Sequence, residues 1–340
     1  MGEQQQRRMR IVSGSRPTGR LHLGHLLGAL TNWLRLQDQA ECFFFVADWH
    51  ALTTGYQDTS GVRPSTREMV LDWLAIGLDP GKVVLFVQSA VKEHAELHLL
   101  LSMIVPTPWL LRNPTIKEQA RELGLISGED DSEMAQLNYG LLGYPVLQAA
   151  DILLYRARGV PVGIDQVPHL ELTREVARRF NRLYAEVFPE PEALLTETPK
   201  IPGTDGRKMS KSYNNAVYLN ESDKEVEAKL SRMATDPRRV RRTDPGDPAD
   251  CPAFNLHRIY CTPDEIAYVT HGCRTAEIGC LDCKKVMIKH VLAALAPIRA
   301  RRAELEQRPQ VVDEVLDDGN ARARTEAEQT MIQVREAMKI

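Results

Sequence analysis

The chain has 340 residues, a length that allows a full catalytic core and one accessory domain. Hydrophobic residues make up 43% and charged residues 26%, which is typical of a globular protein and excludes a disordered or fibrous one. The net charge of −3 excludes a uniformly basic surface, so contact with RNA must depend on local basic patches. The start of the sequence is polar and no long apolar run follows, so we expect a cytoplasmic protein without membrane contact.

The first half of the sequence alternates short apolar strands with amphipathic helices. Because connections of this length are right-handed crossovers, the alternation predicts an α/β fold with a parallel sheet. After Ser212 helical patterns dominate, which predicts a domain boundary near Asn215. Strands are predicted at residues 10–14, 43–46, 83–87 and 159–164, and helices from Gly24, from a capping box of Ser65 with Glu68, over 144–155 and over 170–183.

A tetrapeptide with two histidines, His22-Leu23-Gly24-His25, lies where the first strand turns into the first helix. A helix N-terminus offers unpaired amides to anionic phosphates. Gly24 lets a base or ribose approach the backbone closely, and the two imidazoles add hydrogen-bond donors. A pair of surface histidines in an ordinary helix cap is the alternative for this motif alone.

Lys208 to Ser212 form a second motif, in a loop that contains Gly203 and Gly206 and that we expect to be mobile. The ammonium groups of Lys208 and Lys211 can clamp a pyrophosphate leaving group, because charge neutralisation is the main catalytic tool in phosphoryl chemistry. A solvated basic loop is the alternative for this motif alone. The two motifs together indicate a nucleotide site.

With these motifs the sequence resembles the class I aminoacyl-tRNA synthetases, and it is similar to the bacterial tryptophanyl-tRNA synthetase family over nearly all of its length. The resemblance implies a Rossmann catalytic domain over residues 1–215, a helical anticodon-binding domain over 216–325 and the end of a C-terminal helix over 326–340. It also implies a homodimer that uses L-tryptophan, tRNA(Trp) and ATP with Mg²⁺. The similar segments are residues 13–18, 22–36, 43–53, 144–155, 159–181 and 208–212.

The resemblance assigns contacts with ATP to several parts of the sequence. It implies that the residues acting on the phosphates are His22, His25, Lys208 and Lys211. The other implied ATP-binding residues are Arg16, Pro17 and Thr18 in a covering loop, Gly24, then Gly163, Ile164 and Asp165 in a ribose-binding segment, and Ile201, Met209, Ser210 and Ser212 around the second motif.

Helical spacing places Tyr144, Gln148 and Asp151 on one face. A carboxylate that faces an apolar slot can accept the single N–H of an indole and reject ligands without that donor. An ordinary ion pair near the sheet is the alternative for Asp151. The resemblance implies that Asp151 binds the indole nitrogen and that the tryptophan site also includes Gly14, His50 and Gln166.

Gln148 departs from the methionine that many bacterial tryptophan enzymes carry, whereas tyrosyl-tRNA synthetases often carry glutamine in a similar pattern. A phenol and an indole can both donate to Asp151, so a tyrosyl-tRNA synthetase is the alternative. The wider match at residues 28–33 and 170–174 favours tryptophan. Two further alternatives are another nucleotidyltransferase and a duplicated synthetase that acts as a non-catalytic regulatory protein.

Five of the six cysteines fall between Cys251 and Cys283, and in an intracellular chain they suggest thiols or metal ligands more than disulfides. Gaps of 21, 6 and 2 residues separate Cys251, Cys273, Cys280 and Cys283, which could hold a [4Fe–4S] cluster or Zn²⁺ or stay as reduced thiols. A subgroup of the family carries a similar arrangement with an iron–sulfur cluster and one more residue in the first gap. Cys42 and Cys261 are predicted to be packing residues.

A basic segment, residues 238–242, precedes these cysteines and contains four arginines. These arginines could contact tRNA phosphates, and a solvated basic turn is the alternative.

Overall fold

The computed structural model of the chain describes residues 8–127, 131–134, 136–195 and 201–340, except for the side chains of residues 131, 132 and 165. The described residues form a five-stranded parallel sheet with the strand order β3-β2-β1-β4-β5. This architecture confirms the predicted α/β class. The strands are β1 (Arg10–Ser15), β2 (Glu41–Val46), β3 (Val83–Val87), β4 (Gly159–Val162) and β5 (Glu192–Leu195).

Helices connect the strands and are the main elements of the described residues after 223. The first six are α1 (Leu23–His25), α2 (Thr31–Leu36), α3 (Asp48–Gly55), α4 (Val62–Ile76), α5 (Glu93–Ser102) and α6 (Thr107–Leu111), with a π-helical turn (Leu26–Leu30) between α1 and α2. The next four are α7 (Pro114–Glu122), α8 (Asp131–Met134), α9 (Tyr139–Leu154) and α10 (Val167–Leu183). The last five are α11 (Asp223–Ser231), α12 (Pro252–Tyr260), α13 (Pro263–Arg274), α14 (Cys280–Glu306) and α15 (Val311–Met338).

The predicted capping box of Ser65 with Glu68 is wrong. Helix α4 begins four residues earlier, at Val62, and Gly61 before it provides no side-chain cap. Ser65 and Glu68 lie inside this helix, and the Glu68 carboxylate accepts a hydrogen bond from Arg302 Nη2 at 2.6 Å. The sequence pattern is typical of a helix start, but in the structure Glu68 forms a long-range ion pair with Arg302 and does not cap a helix.

Successive residues of β2 face opposite sides of the sheet and build two separate cores. On one side the Trp33 ring stacks on Phe44, with 4.2 Å between the ring centroids, and Trp73 meets Trp33 edge-on. On the other side Phe43 stacks on Tyr155 with centroids 4.8 Å apart. Both faces of the sheet are therefore covered, as expected for parallel strands.

The C-terminal helix α15 returns to the sheet and covers strand β3. A Cβ atom at Gly319 would lie 1.7 Å from the carbonyl oxygen of Leu85, so only glycine allows this approach. Next to it, Asn320 Oδ1 accepts a hydrogen bond from Val87 N at 2.9 Å, which satisfies a donor on the edge strand. The domain boundary near Asn215 stays a prediction.

A buried ion pair joins α14 to α4. Arg302, 4% exposed, donates to the carboxylate of Asp72, which is fully buried. Asp72 Oδ2 also accepts from Leu21 N at 2.9 Å, so this pair supports the loop that precedes His22.

Among the residues that the structure describes, none of the helices combines the length and apolar character that a bilayer-spanning segment needs.

Candidate active site

The first part of the site lies at the carboxyl end of β1, where the chain turns into α1. His22 Nδ1 accepts a hydrogen bond from Gly24 N at 3.1 Å, and His25 Nδ1 accepts one from His22 N at 3.2 Å. The two imidazole centroids are 3.7 Å apart. A Cβ atom at Gly24 would lie 3.0 Å from the His22 ring, so a side chain there would crowd the turn.

Both imidazoles of this turn are neutral near pH 7. Burial, assisted by the charge of Lys211, lowers the pKa of His22 to about 4. Burial, with smaller effects of His22 and Lys211, lowers the pKa of His25 to about 3. Because each Nδ1 accepts a backbone N–H, each neutral ring carries its proton on Nε2. The rings therefore offer two Nε2–H donors to a bound anion without carrying charge themselves.

Lys211 brings the second motif to the loop after β1. Its Nζ atom donates to Thr18 O at 2.6 Å and contacts Thr18 Oγ1 at 3.0 Å, across 193 residues of sequence. Burial is the main cause that lowers the pKa of Lys211 to about 8. The two motifs that the sequence analysis paired as a nucleotide site thus meet in one cleft.

Asn215 holds the loop of the second motif in shape. Its Oδ1 atom accepts from Ser210 N at 2.8 Å, and its Nδ2 atom donates to Asp205 Oδ1 at 2.7 Å and to Lys208 O at 3.2 Å. A Cβ atom at Gly203 would lie 2.2 Å from Asn215 Cγ, so the glycine makes room for this side chain. The mobility expected of the loop stays a prediction.

The other residues expected to bind ATP lie in the loop after β1, in and near the second motif, and directly after β4. Arg16, Thr18, Lys208 and Ser212 are exposed, Ser210 is half-buried with its Oγ 2.9 Å from Ser212 Oγ, and Pro17, Ile201 and Met209 are buried. Gly163 begins the turn Ile164–Gln166 after β4, the strand beside β1, and Ile164 is exposed. The side chain of Asp165 lies outside the described side chains. These placements are compatible with ATP contacts, whose individual roles stay predictions.

The second part of the site centres on the Asp151 carboxylate, which is 1% exposed. His50 Nε2 lies 2.8 Å from Oδ2, and His94 Nδ1 lies 2.6 Å from Oδ1. Gln88 Nε2 donates to both oxygens, at 2.8 and 3.0 Å. Burial acts to raise the pKa of Asp151, but the hydrogen bonds from His50 and His94 outweigh it and hold this pKa below its ordinary value. Asp151 is therefore an ionised hydrogen-bond acceptor that is buried away from solvent.

The remaining residues expected at the tryptophan site take different positions. The Tyr144 hydroxyl lies 2.6 Å from His169 Nε2, and its ring meets the His50 ring edge-on. Gly14 is exposed, and a Cβ atom there would lie 2.4 Å from the Phe45 ring. Gln148 and Gln166 are half-buried. Arg16 is close enough to Tyr144 to oppose the rise that burial causes in the pKa of the phenol, which connects the two parts of the site.

A different cavity of about 640 Å³ opens at the amino end of β1, lined by Arg10, Glu41, Arg158 and Glu192 among others. This position is not the one expected for a ligand site in this fold, because ligands of open parallel sheets bind at the carboxyl ends of the strands. Its charges also pair with one another, as Arg10 does with Glu41 at 3.0 Å.

Known proteins match this chain over nearly its whole length. The family model described as tRNA synthetases class I (W and Y) matches residues 4–296. The tryptophan–tRNA ligase of Thermotoga maritima is 56% identical over 334 residues, which cover 98% of this chain and 99% of the relative. That of Aquifex aeolicus is 48% identical over 394 residues, covering 98% and 100%. The chain belongs to the bacterial tryptophanyl-tRNA synthetase family.

The fold agrees with this assignment. The crystal structure of tryptophanyl-tRNA synthetase from Campylobacter jejuni, complexed with ADP and tryptophan, matches with a TM-score of 0.85 and 32% identity, covering 98% of this chain and all of that one. A tyrosyl-tRNA synthetase from Archaeoglobus fulgidus matches with a TM-score of 0.64 but only 21% identity, which shows the fold alone. The tryptophan prediction is therefore confirmed over the tyrosine alternative, and the chain is an aminoacyl-tRNA synthetase.

In this synthetase the four clustered cysteines line one pocket, together with Arg239 and His257. A Cβ atom at Gly246 would lie 2.8 Å from Cys273 Sγ, so glycine leaves room beside that sulfur. In the described part of the chain, no three of the four sulfurs lie within 4.8 Å of one another. The four cysteines are a candidate ligand set for a metal centre, because they line one pocket.

One expectation near these cysteines needs correction. Arg239 is neither solvated nor free for tRNA, because it is 9% exposed and its Nη1 atom lies 3.8 Å from Cys273 Sγ. Cys261 packs against the hydrophobic core, as predicted, and its sulfur also lies 3.4 Å from His257 Nδ1 and near the ligand atoms of Glu265 and His290. Cys42 is buried, as expected of a packing residue.

Sequence reasoning missed Gln88 and His94, which hold the Asp151 carboxylate. Gln88 directly follows β3, and the rule that ligand groups lie at the carboxyl ends of parallel strands could have identified it. His94 lies in the first turn of α5, where its sequence neighbours give no indication of a buried partner 57 residues away.

Proposed function

We propose that the chain joins L-tryptophan to tRNA(Trp) in two steps in the cleft described above. The tryptophan carboxylate attacks the α-phosphorus of ATP, which forms tryptophanyl-adenylate and releases pyrophosphate. The 2′-hydroxyl of the terminal tRNA ribose then attacks the adenylate carbonyl, and AMP leaves. No enzyme nucleophile is required, so the protein contributes positioning and charge stabilisation. The contact of Lys211 with Thr18 beside the two histidines carries this proposal.

The phosphates of ATP would lie between the two motifs. His22 and His25 donate through their Nε2–H groups, and Lys208 and Lys211 neutralise the charge that develops on the pyrophosphate. Mg²⁺, bound with ATP, adds a further positive charge against the phosphate oxygens. Neutral imidazoles suit this role, because they donate hydrogen bonds without repelling the neighbouring ammonium of Lys211.

The indole of tryptophan would lie against Asp151, whose ionised carboxylate accepts its N–H. Rejection of amino acids without such a donor follows, because a buried carboxylate that loses a donor to an apolar ligand is destabilised. The further tryptophan contacts that we propose are those of Gly14, His50, Tyr144, Gln148 and Gln166.

Charging of a tRNA(Trp) transcript with labelled tryptophan tests this assignment. The variant Asp151→Asn should lower kcat/KM for tryptophan by roughly ten- to a hundredfold, since a hydrogen bond to a charged group is lost. The matched variant Asp58→Asn changes an exposed carboxylate and should charge like the wild type. Normal charging by Asp151→Asn would refute the role of Asp151, and no charging by the wild type would refute the proposed function.

For the cysteine pocket we propose a [4Fe–4S] cluster held by Cys251, Cys273, Cys280 and Cys283. When bound, the cluster would supply a covalent cross-link among these segments of the helical half. Arg239 would place its positive charge beside the thiolates, which favours their ionised form. Iron and sulfide analysis of anaerobically purified protein should give about four of each per chain by the cluster formula. Stoichiometric zinc instead would overturn this proposal.

We further propose that the synthetase works in the cytoplasm as a homodimer, with the helical half contacting the tRNA anticodon. Exposed apolar residues on two neighbouring helices support the dimer: Leu99 in α5, Met103 directly after α5 and Tyr139 in α9, with Met103 69% exposed. Surfaces of this kind mark interfaces more often than isolated apolar residues do.

A further inference from the structure

A buried chain of hydrogen bonds continues from Asp151 into the core. His94 Nδ1 lies 2.6 Å from Asp151 Oδ1, and His94 Nε2 lies 2.8 Å from the hydroxyl oxygen of Tyr155. Both His94 and Tyr155 are fully buried. The His94 ring has Phe45 and Phe86 as aromatic neighbours, with centroids 5.9 and 6.0 Å away, which leaves an apolar surrounding for this chain.

The hydrogen bonds of this buried series all run in one direction, from donor to acceptor. Burial, together with the charge of Asp151, raises the pKa of Tyr155, so its phenol keeps its proton. In a neutral His94 ring, Nε2 then accepts from the Tyr155 hydroxyl and Nδ1 donates to Asp151. Tyr155 thus fixes which nitrogen of His94 carries the proton, and His94 fixes one oxygen of the carboxylate.

The two oxygens of Asp151 have different surroundings. A carboxylate oxygen offers about two lone-pair sites, and on Oδ1 these are taken by His94 and Gln88 at 2.6 and 2.8 Å. Oδ2 receives His50 at 2.8 Å and the longer contact of Gln88 at 3.0 Å. The His50 side chain is 11% exposed, whereas that of His94 is not exposed at all. Oδ2 is therefore the oxygen that faces the ligand side.

We propose that His94 and Tyr155 are positioning residues that make this synthetase select the indole N–H. His94, held in place by Tyr155, occupies Oδ1 together with Gln88 and fixes the carboxylate. Oδ2 is then presented to the ligand, and the indole N–H replaces the hydrogen bond from His50. Neither His94 nor Tyr155 needs to contact tryptophan. The positioning role of His94 and Tyr155 rests on the proposed role of Asp151 as the indole acceptor.

The test compares two amino acids in pyrophosphate exchange: tryptophan, and 3-benzothienyl-alanine, in which sulfur replaces the indole N–H. The variant Tyr155→Phe should raise KM for tryptophan roughly tenfold and leave KM for ATP unchanged, since the hydrogen bond to a charged group is misaligned and not removed. The preference for tryptophan over the analogue should fall by the same factor, because the analogue never donates to Asp151. His94→Leu should lose more of this preference than His94→Asn, which keeps a donor near the position of Nδ1.

The matched control is Tyr260→Phe, which also removes a buried hydroxyl, one that has no hydrogen-bond partner among the described residues. It should keep the wild-type preference. Equal losses toward tryptophan and the analogue in Tyr155→Phe and His94→Leu would indicate a merely structural role and overturn the inference, as would unchanged values for both variants. A wild type that uses both amino acids equally well would instead refute the role of Asp151 itself.

Discussion

Replacing Lys211 by alanine removes the ammonium group that lies 2.6 Å from Thr18 O and whose charge acts on His22 and His25. Loss of one preorganised charge contact to a transition state costs about 10²- to 10³-fold in rate. We therefore expect adenylate formation to fall by about that factor. Tryptophan binding should change less than about twofold, because Lys211 is not among the described contacts of Asp151.

Single-turnover formation of tryptophanyl-adenylate measures the first quantity, and equilibrium binding of tryptophan without ATP measures the second. Lys224→Ala, which removes an exposed lysine of α11, is the matched control and should leave both unchanged. Equal losses in chemistry and in tryptophan binding would contradict the role assigned to Lys211.

The pH dependence gives an independent check on the same side chain. The pKa of Lys211 is lowered to about 8, so the ammonium is present below that pH and is lost above it. Because kcat/KM reports ionisations of the free enzyme, kcat/KM for ATP should decline as the pH rises through about 8. Lys211→Arg keeps its charge throughout this range, and its profile should lack the decline. The same decline in Lys211→Arg would show that another group is responsible.

Three further predictions concern stability and assembly. Gly319→Ala should lower the free energy of unfolding by about 3 kcal/mol because its Cβ would overlap backbone, whereas Gly140→Ala, with open space around it, should raise it slightly; urea denaturation would measure both. Arg302→Met should cost about 3 to 5 kcal/mol by isolating a buried carboxylate, whereas Arg67→Met breaks an exposed pair and should cost less than about 1 kcal/mol. Met103→Glu should shift the proposed dimer toward monomer in light scattering, and an unchanged mass would refute the placement of the interface.

The sequence contained enough local information for most of the sheet and for the phosphate end of the site. Strand β3 was predicted and found over the same residues, because five consecutive apolar residues are typical of a strand covered on both faces. Strand β5 was missed, because Glu192–Leu195 has only four residues and shows little alternation of polar and apolar residues. The proximity of Lys211 to the first loop followed from chemistry, because two phosphate-binding motifs of one nucleotide site must meet.

The surroundings of Asp151 could not be predicted in the same way. Its partners Gln88 and His94 come from a different strand end and a different helix, 63 and 57 residues away. No local period connects such residues, so only the three-dimensional arrangement identifies them. The capping box at Ser65 failed for a related reason, because its glutamate pairs with Arg302, 234 residues further along the chain.

The most direct test of the central claim is amino-acid-dependent exchange of labelled pyrophosphate into ATP, with tryptophan and tyrosine measured side by side on the full chain. Exchange with tryptophan alone is the expected result, since the chain belongs to the tryptophanyl-tRNA synthetase family. Exchange with tyrosine at a comparable rate would contradict that assignment, and no exchange with either amino acid would contradict the catalytic role proposed for His22, His25, Lys208 and Lys211.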